Sequence, residues 1–163
     1  ESDGRTPCLG EDAMKRFRLM WDDVIYQPGE IRVVAYNIEG QAVEEKTIRT
    51  AGKAASIKLT PDRKVLKADG EDLCYINVSL TDKDGNPVPA DNRLMKVKVS
   101  GDGSFKAIAN GDPTCLESFQ QPQMHLFSGQ LTVLVQSSSQ PGEITVEVTG
   151  KGVKKARLTI ITE

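Results

Sequence analysis

The residues with the widest chemical range lie between Asn110 and Gly129. Asn110-Gly111-Asp112-Pro113 opens this stretch, and Cys115, Glu117, Phe119, His125 and Phe127 follow. A thiol, an imidazole and carboxylates are the parts of a nucleophilic site. Such a site needs a spatially fixed Cys–His pair, and the loop between Cys115 and His125 does not supply one. Asn-Gly and Asp-Pro are turn dipeptides, and Phe119 and Phe127 can anchor a loop on a folded body. The stretch therefore reads as a structural connection. Contact of Asn110, Asp112, Glu117, Phe119 and His125 with a ligand or partner stays open, because long loops are often functional. No catalytic residue, metal ligand or cofactor is assigned.

Other chemistry-bearing groups give less. Asp82-Lys83-Asp84-Gly85-Asn86-Pro87 spaces carboxylates two apart, as a calcium loop does. A calcium loop needs glycine at its sixth position and glutamate at its twelfth. Pro87 and Arg93 stand there, so the segment reads as a hairpin turn. Asp22-Asp23 and Glu44-Glu45 are sequence neighbours and point to opposite faces of a strand, so they cannot flank one glycosidic bond. Trp21 and Tyr26 have the rings to stack on a sugar, but Trp21 ends the alternating run Phe17, Leu19, Trp21 and reads as core. Cys74 sits on an apolar strand face and reads as a buried, inert thiol. Asn77-Val78-Ser79 matches a glycosylation acceptor and falls in mid-strand.

The elements that must position these groups are strands. Apolar residues alternate at Ile31/Val33/Ala35, Cys74/Ile76/Val78/Leu80, Met95/Val97/Val99, Leu131/Val133/Val135, Ile144/Val146/Val148 and Ala156/Leu158/Ile160. A period of two predicts strands with one buried face. Turn residues separate them, among them Gln27-Pro28-Gly29, Ala68-Asp69-Gly70, Gln140-Pro141-Gly142 and Gly150-Lys151-Gly152. The one helix candidate, Asp12 to Phe17, is short.

Thr50-Ala51-Gly52-Lys53-Ala54 reads as a linker. Residues 53–163 predict strands near 56–60, 65–67, 73–81, 94–100, 104–109, 130–137, 143–149 and 153–162, enough for a complete immunoglobulin-like β-sandwich. Residues 1–52 predict three, near 16–21, 30–37 and 42–50, which cannot close a sandwich. The fold class is all-β: a partial three-stranded module, 1–52, then a sandwich, 53–163. The first module is expected to be the end of a small truncated β-domain that docks on the second, pairs with another copy or is partly disordered.

Composition narrows the function classes. The 163 residues are 38% hydrophobic and 27% charged, too few for a (β/α)8 barrel of about 250. The net charge of -2 supplies no basic field for nucleic acid. One histidine and three scattered cysteines, Cys8, Cys74 and Cys115, exclude histidine-rich metal sites and a disulfide scaffold. No apolar run approaches the roughly 18 residues of a membrane span. Glu1-Ser2-Asp3-Gly4 lacks the features of a signal peptide, so any export signal is expected upstream.

Two ordered strings carry a family resemblance. The first runs Arg16-Phe17-Arg18-Leu19-Met20-Trp21-Asp22-Asp23-Val24, Tyr26-Gln27-Pro28-Gly29-Glu30-Ile31, Val34-Ala35-Tyr36 and Thr50-Ala51-Gly52. The second runs Leu59-Thr60-Pro61-Asp62-Arg63, Ala68-Asp69-Gly70-Glu71-Asp72-Leu73, Asp82 to Pro89, Asp91-Asn92, Asn110-Gly111-Asp112-Pro113 and Glu117 to Phe119. Together they resemble the C-terminal accessory region of glycoside hydrolase family 2 β-galactosidases, particularly the multidomain enzymes of gut Bacteroidetes. Residues 53–163 are also similar to an invasin/intimin-type bacterial immunoglobulin-like domain. The resemblance implies a parent that hydrolyses β-galactosides with retention, using two glutamates on an upstream barrel. No position here matches either glutamate.

The resemblance thus implies a non-catalytic fragment with a structural or cleft-shaping role. Its partners would be the catalytic barrel and other domains of the parent, with the parent's carbohydrate substrate nearby and self-association through residues 1–52. No cofactor, nucleic acid or membrane span is expected. The implied location is the periplasm or cell surface of a Gram-negative bacterium. Two rival classes remain. A carbohydrate-binding module would space aromatics along one face, and aromatics are only 5% here. An adhesin-type immunoglobulin-like spacer would repeat in tandem, and the two halves of this chain differ.

Overall fold

The computed structural model describes residues 24–163. The expected strand at 16–21, the Asp12–Phe17 helix candidate, Cys8, Trp21 and Asp22-Asp23 lie outside the described residues. Every regular element among the described residues is a strand, as the period-two pattern predicts.

β1 (Glu30–Tyr36) and β2 (Ala42–Arg49) form an antiparallel hairpin. Its turn is set by Asn37, whose side-chain oxygen accepts the N–H of Glu39 at 3.0 Å and of Gln41 at 2.9 Å. One face is laced by Arg49–Glu30 at 2.7 Å and Arg32–Glu45 at 2.6 Å. The other carries Ile31, Val33 and Ile48, which are 53%, 42% and 64% exposed. The sequence predicts a buried Ile31/Val33/Ala35 face, and the structure corrects this. A two-stranded ribbon has no second layer of its own, and no described element lies over that face.

The remaining strands build the sandwich. They are β3 (Ser56–Pro61), β4 (Val65–Leu66), β5 (Leu73–Thr81), β6 (Leu94–Gly101), β7 (Gly103–Ala109), β8 (Gln123–His125), β9 (Gln130–Ser137), β10 (Gly142–Gly150) and β11 (Ala156–Thr162). One sheet has the order β3-β5-β9-β7 and the other β4-β11-β10-β6-β8. These orders reproduce the A-B-E-D and C-F-G sheets of an immunoglobulin fold. The first strand is split: β3 pairs antiparallel with β5, and the chain then crosses so that β4 runs parallel to β11. β8 extends the second sheet at the β6 edge. The sequence does not announce β8, because three residues are too few to display a period.

The core lies between the two inner faces. Cys74, Ile76, Val78 and Leu80 of β5 and Val133 and Val135 of β9 are wholly buried. Across from them stand Met95, Ile144, Val146, Val148 and Ile160, also wholly buried. Burying each such aliphatic side chain contributes about 1.5–3 kcal/mol. Met124 and Leu126 plug the β8 end of this core.

Candidate functional site

The connection from β7 to β8 is built around short side-chain-to-backbone turns. Asn110 Oδ1 accepts the Asp112 N–H at 3.0 Å, and Asp112 Oδ1 accepts the Thr114 N–H at 2.8 Å and its hydroxyl at 2.7 Å. Those two bonds hold the Asp112 carboxyl below its ordinary pKa, the hydroxyl contributing most. Gly111 takes a φ of 78°, which a glycine adopts without strain.

Four of the sequence candidates then converge. Asn110 Nδ2 donates to the His125 carbonyl at 3.0 Å and reaches Cys115 Sγ at 3.6 Å. Glu117 Oε2 accepts the His125 backbone N–H at 2.9 Å, and Glu117 Oε1 lies 3.0 Å from His125 Nδ1. Cys115 Sγ donates to Glu117 Oε2 at 3.8 Å. The Glu117 carboxyl is pulled below its ordinary pKa, first by the His125 backbone bond. Phe119 is tied in by its backbone, its carbonyl accepting the Ile108 N–H at 2.8 Å, while its ring stays 56% exposed.

This arrangement braces a loop. The thiol's partner is the Glu117 carboxylate, whose lowered pKa makes it a weak base, and the imidazole is not placed to activate it. The order Cys–Glu–His inverts the nucleophile–base–orienting-group order of a triad. Among the described residues no group of three or more His, Cys, Asp or Glu side chains is arranged to hold a metal ion.

The Asp82 segment is a turn whose carboxylate is filled by protein donors. Oδ1 accepts the N–H groups of Asp84 and Asn86, each at 2.9 Å. Oδ2 accepts the Gly52 N–H at 2.8 Å and the Asn86 amide at 3.0 Å. These bonds, the Gly52 one largest, hold its pKa down to about 2, and the residue is 4% exposed. Asp82 therefore fastens the linker to the sandwich, a role that sequence reading missed because Gly52 lies thirty positions upstream. A parallel tie is made by Arg93, which grips Asp91 and donates to the Lys151 carbonyl at 2.6 Å.

A hollow of about 670 Å³ opens where hairpin, linker and this turn meet, lined by Glu30, Asp82 and Asp84 among others. A glycosidase acid has a raised pKa. Asp82 is pushed the other way, and Glu30 is paired with Arg49 at 2.7 Å. Tyr26 is 69% exposed, with its hydroxyl 3.3 Å from Thr50 Oγ1. Cys74 is buried, donates to the Arg63 carbonyl at 3.3 Å, and is pushed by burial to a pKa of about 12. Glu44 and Glu45 sit on opposite hairpin faces, with Glu45 in the Arg32 pair.

The sequence profile of the family described as Glycoside hydrolase family 2 C-terminal domain 5 matches residues 57–159. A second profile, Domain of unknown function (DUF4982), matches residues 6–44. The chain is 39% identical to Beta-galactosidase BoGH2A of Bacteroides ovatus, over 98% of this chain and 19% of that protein. It superposes on a glycosyl hydrolase family 2 member from Bacteroides cellulosilyticus with a TM-score of 0.85 and 31% identity, covering 94% of this chain and 20% of that one. The D00-D0 domain of intimin, at 15% identity and a TM-score of 0.52 over 84% of this chain and 66% of that one, shares the fold alone. The chain spans about a fifth of the length of the curated relatives it matches.

Proposed function

Because this chain belongs to the family described as Glycoside hydrolase family 2 C-terminal domain 5, we propose that it is the non-catalytic accessory portion of a larger enzyme that hydrolyses β-galactosides. Its work in that enzyme is to pack against the other domains and shape the rim of the catalytic cleft. The observation that carries the reading is the 39% identity, along 98% of the chain, to a protein named as a β-galactosidase. The site chemistry supports it. The carboxylates of Asp82, Asp112 and Glu117 accept bonds from backbone N–H groups and, at Asp112, a hydroxyl, which favours the charged form and disfavours a proton donor.

The proposal includes a boundary at residues 52/53, supported by Gly52 lying between the hairpin and the first sandwich strand with its N–H on Asp82. It also includes export to the periplasm or cell surface, supported by the Bacteroides origin of the relatives; cell fractionation tests that part. The function is tested by adding purified residues 1–163 to a chromogenic β-galactoside beside the full-length polypeptide. The expected result is turnover by the full-length polypeptide alone. Turnover that co-purifies with the isolated chain overturns the reading.

A further inference from the structure

The two outer faces of the sandwich differ sharply in charge. The β4-β11-β10-β6-β8 sheet carries Lys96, Lys98, Glu143, Glu147 and Arg157, all on its three inner strands. Glu147 is opposite Lys98 on one side and Arg157 on the other, and it bonds Lys155 at 3.1 Å and Arg157 at 3.2 Å. That is a face built for water. The strands of the β3-β5-β9-β7 sheet carry only Lys58 and Lys106, one on each edge strand, and at the β3 margin Asp62 accepts the Tyr75 N–H at 2.9 Å and pairs with Arg63 at 3.2 Å. Its two central strands, β5 and β9, hold no charge at all. Tyr75 stands opposite Leu134, and Leu134 opposite Ala107, so these three form one apolar row across the middle of the outer face. Asn77, Thr132 and Ala109 form the next row.

Depletion of charge with a central tyrosine is the composition of a protein interface. The edge lysines fit the same reading, since they guard the sheet against strand addition while leaving its face free. We propose that this outer face, centred on Tyr75, Leu134 and Ala107, docks against another folded domain of the same polypeptide, which presents an uncharged surface of its own. Size selects that occupant. Strands at about 4.8 Å spacing, with roughly seven shared residues of about 3.3 Å each, give a face of about 440 Å². Burying it against a matching surface removes about 900 Å² in all. That lies within the 600–1,500 Å² typical between domains of one chain and short of the roughly 1,200–2,000 Å² of a stable complex between separate chains. Tethering supplies the difference as a millimolar effective concentration. The relatives carry about four fifths of their length outside the matched region. A lone aromatic makes the face a poor glycan platform.

The inference rests on the accessory role proposed above. It is tested in the full-length polypeptide by replacing Tyr75 with the photo-cross-linker p-benzoylphenylalanine, and separately Thr145 on the charged face. The expected result is an intrachain product joining position 75 to a peptide outside residues 1–163, in at least about five-fold higher yield than from position 145. A product joining two polypeptides, a product with added galactan only, or a yield equal to that from position 145 overturns it. The two failures are distinguishable. A hydrolytically active polypeptide without the cross-link sinks the docking face, whereas hydrolysis by residues 1–163 alone sinks the accessory role.

Discussion

Val33 and Val133 occupy equivalent places in the same local pattern, an apolar residue flanked by polar or outward neighbours in an antiparallel strand. Val33 in β1 is 42% exposed, and Val133 in β9 is fully buried. The hairpin and the sandwich therefore share a sequence code and differ in what lies opposite. In the sandwich a second sheet stands about 10 Å away and turns every inward side chain into core. In the hairpin the ion-paired face is complete, and the apolar face has no described partner. Alternation thus fixes a strand and its sidedness, whereas the energy comes from the layer that meets it.

The largest test of that contrast compares equivalent isoleucines. Ile76→Ala opens a cavity between the sheets and is expected to cost about 2–5 kcal/mol. Ile31→Ala removes an exposed side chain and is expected to stay within about 0.5 kcal/mol. Urea unfolding of the two variants against the parent chain measures both. Equal losses would break the comparison, because they would require a covered face on the hairpin.

The junction between the two regions gives the next effect. Asp82→Asn removes the charge that holds the Gly52, Asp84 and Asn86 N–H groups. Its folded pKa of about 2 lies below the ordinary 3.8, so its contribution is complete above about pH 4 and drains as pH falls toward 2. The parent chain is expected to lose urea midpoint across that window more steeply than the variant. Hydrogen exchange at the Gly52 amide is expected to quicken in the variant. Parallel pH profiles would show that Asp82 does not join linker to sandwich.

The legible part of the fold was the part where burial has a period. β5 and β9 fall at 73–81 and 130–137 in both sequence and structure, because their inward residues alternate without interruption. The alternation predicts β11 from residue 153, but Val153 belongs to the turn before it and pairing starts at Ala156. β8 leaves no mark in the sequence, and neither does the pairing with Leu94 that draws His125 onto the β6 edge. The loop candidates were visible as residue types, but their connections were not. Glu117 bonding to the His125 backbone depends on β8 holding that backbone in place, and a three-residue strand leaves no pattern to read. Asp82 was legible as a turn residue and invisible as a clasp, since its second partner comes from the far side of β3 and β4.

A smaller effect sharpens the comparison inside the sandwich itself. Glu117→Gln keeps the shape but weakens the bonds to the His125 N–H and ring. Replacing a charge-assisted bond with a neutral one is expected to cost about 1 kcal/mol. The loss should be local: exchange at the His125 amide quickens, while the Ile76 amide in β5 keeps its rate. The parent's Glu117 carboxyl sits below the ordinary 4.5, so its contribution is present above that value and lost as pH falls through the folded pKa. A uniform loss across all strands would make the loop part of the core rather than an appendage braced on it.

The smallest effect belongs to the hairpin's finished face. Arg32 and Glu45 meet through two bonds at 2.7 and 2.6 Å, better geometry than most pairs in the molecule. Both side chains are about half exposed, so water competes for each charge and salt screens the attraction. Arg32→Gln is therefore expected to leave the unfolding midpoint where it was, at low salt and at high. The same substitution should still loosen the hairpin locally, seen as faster exchange of the β1 amides that face β2. A shifted midpoint would mean that the hairpin unfolds together with the sandwich as one cooperative body. The difference between Val33 and Val133 would then be one of solvent exposure alone, and not of separate stability.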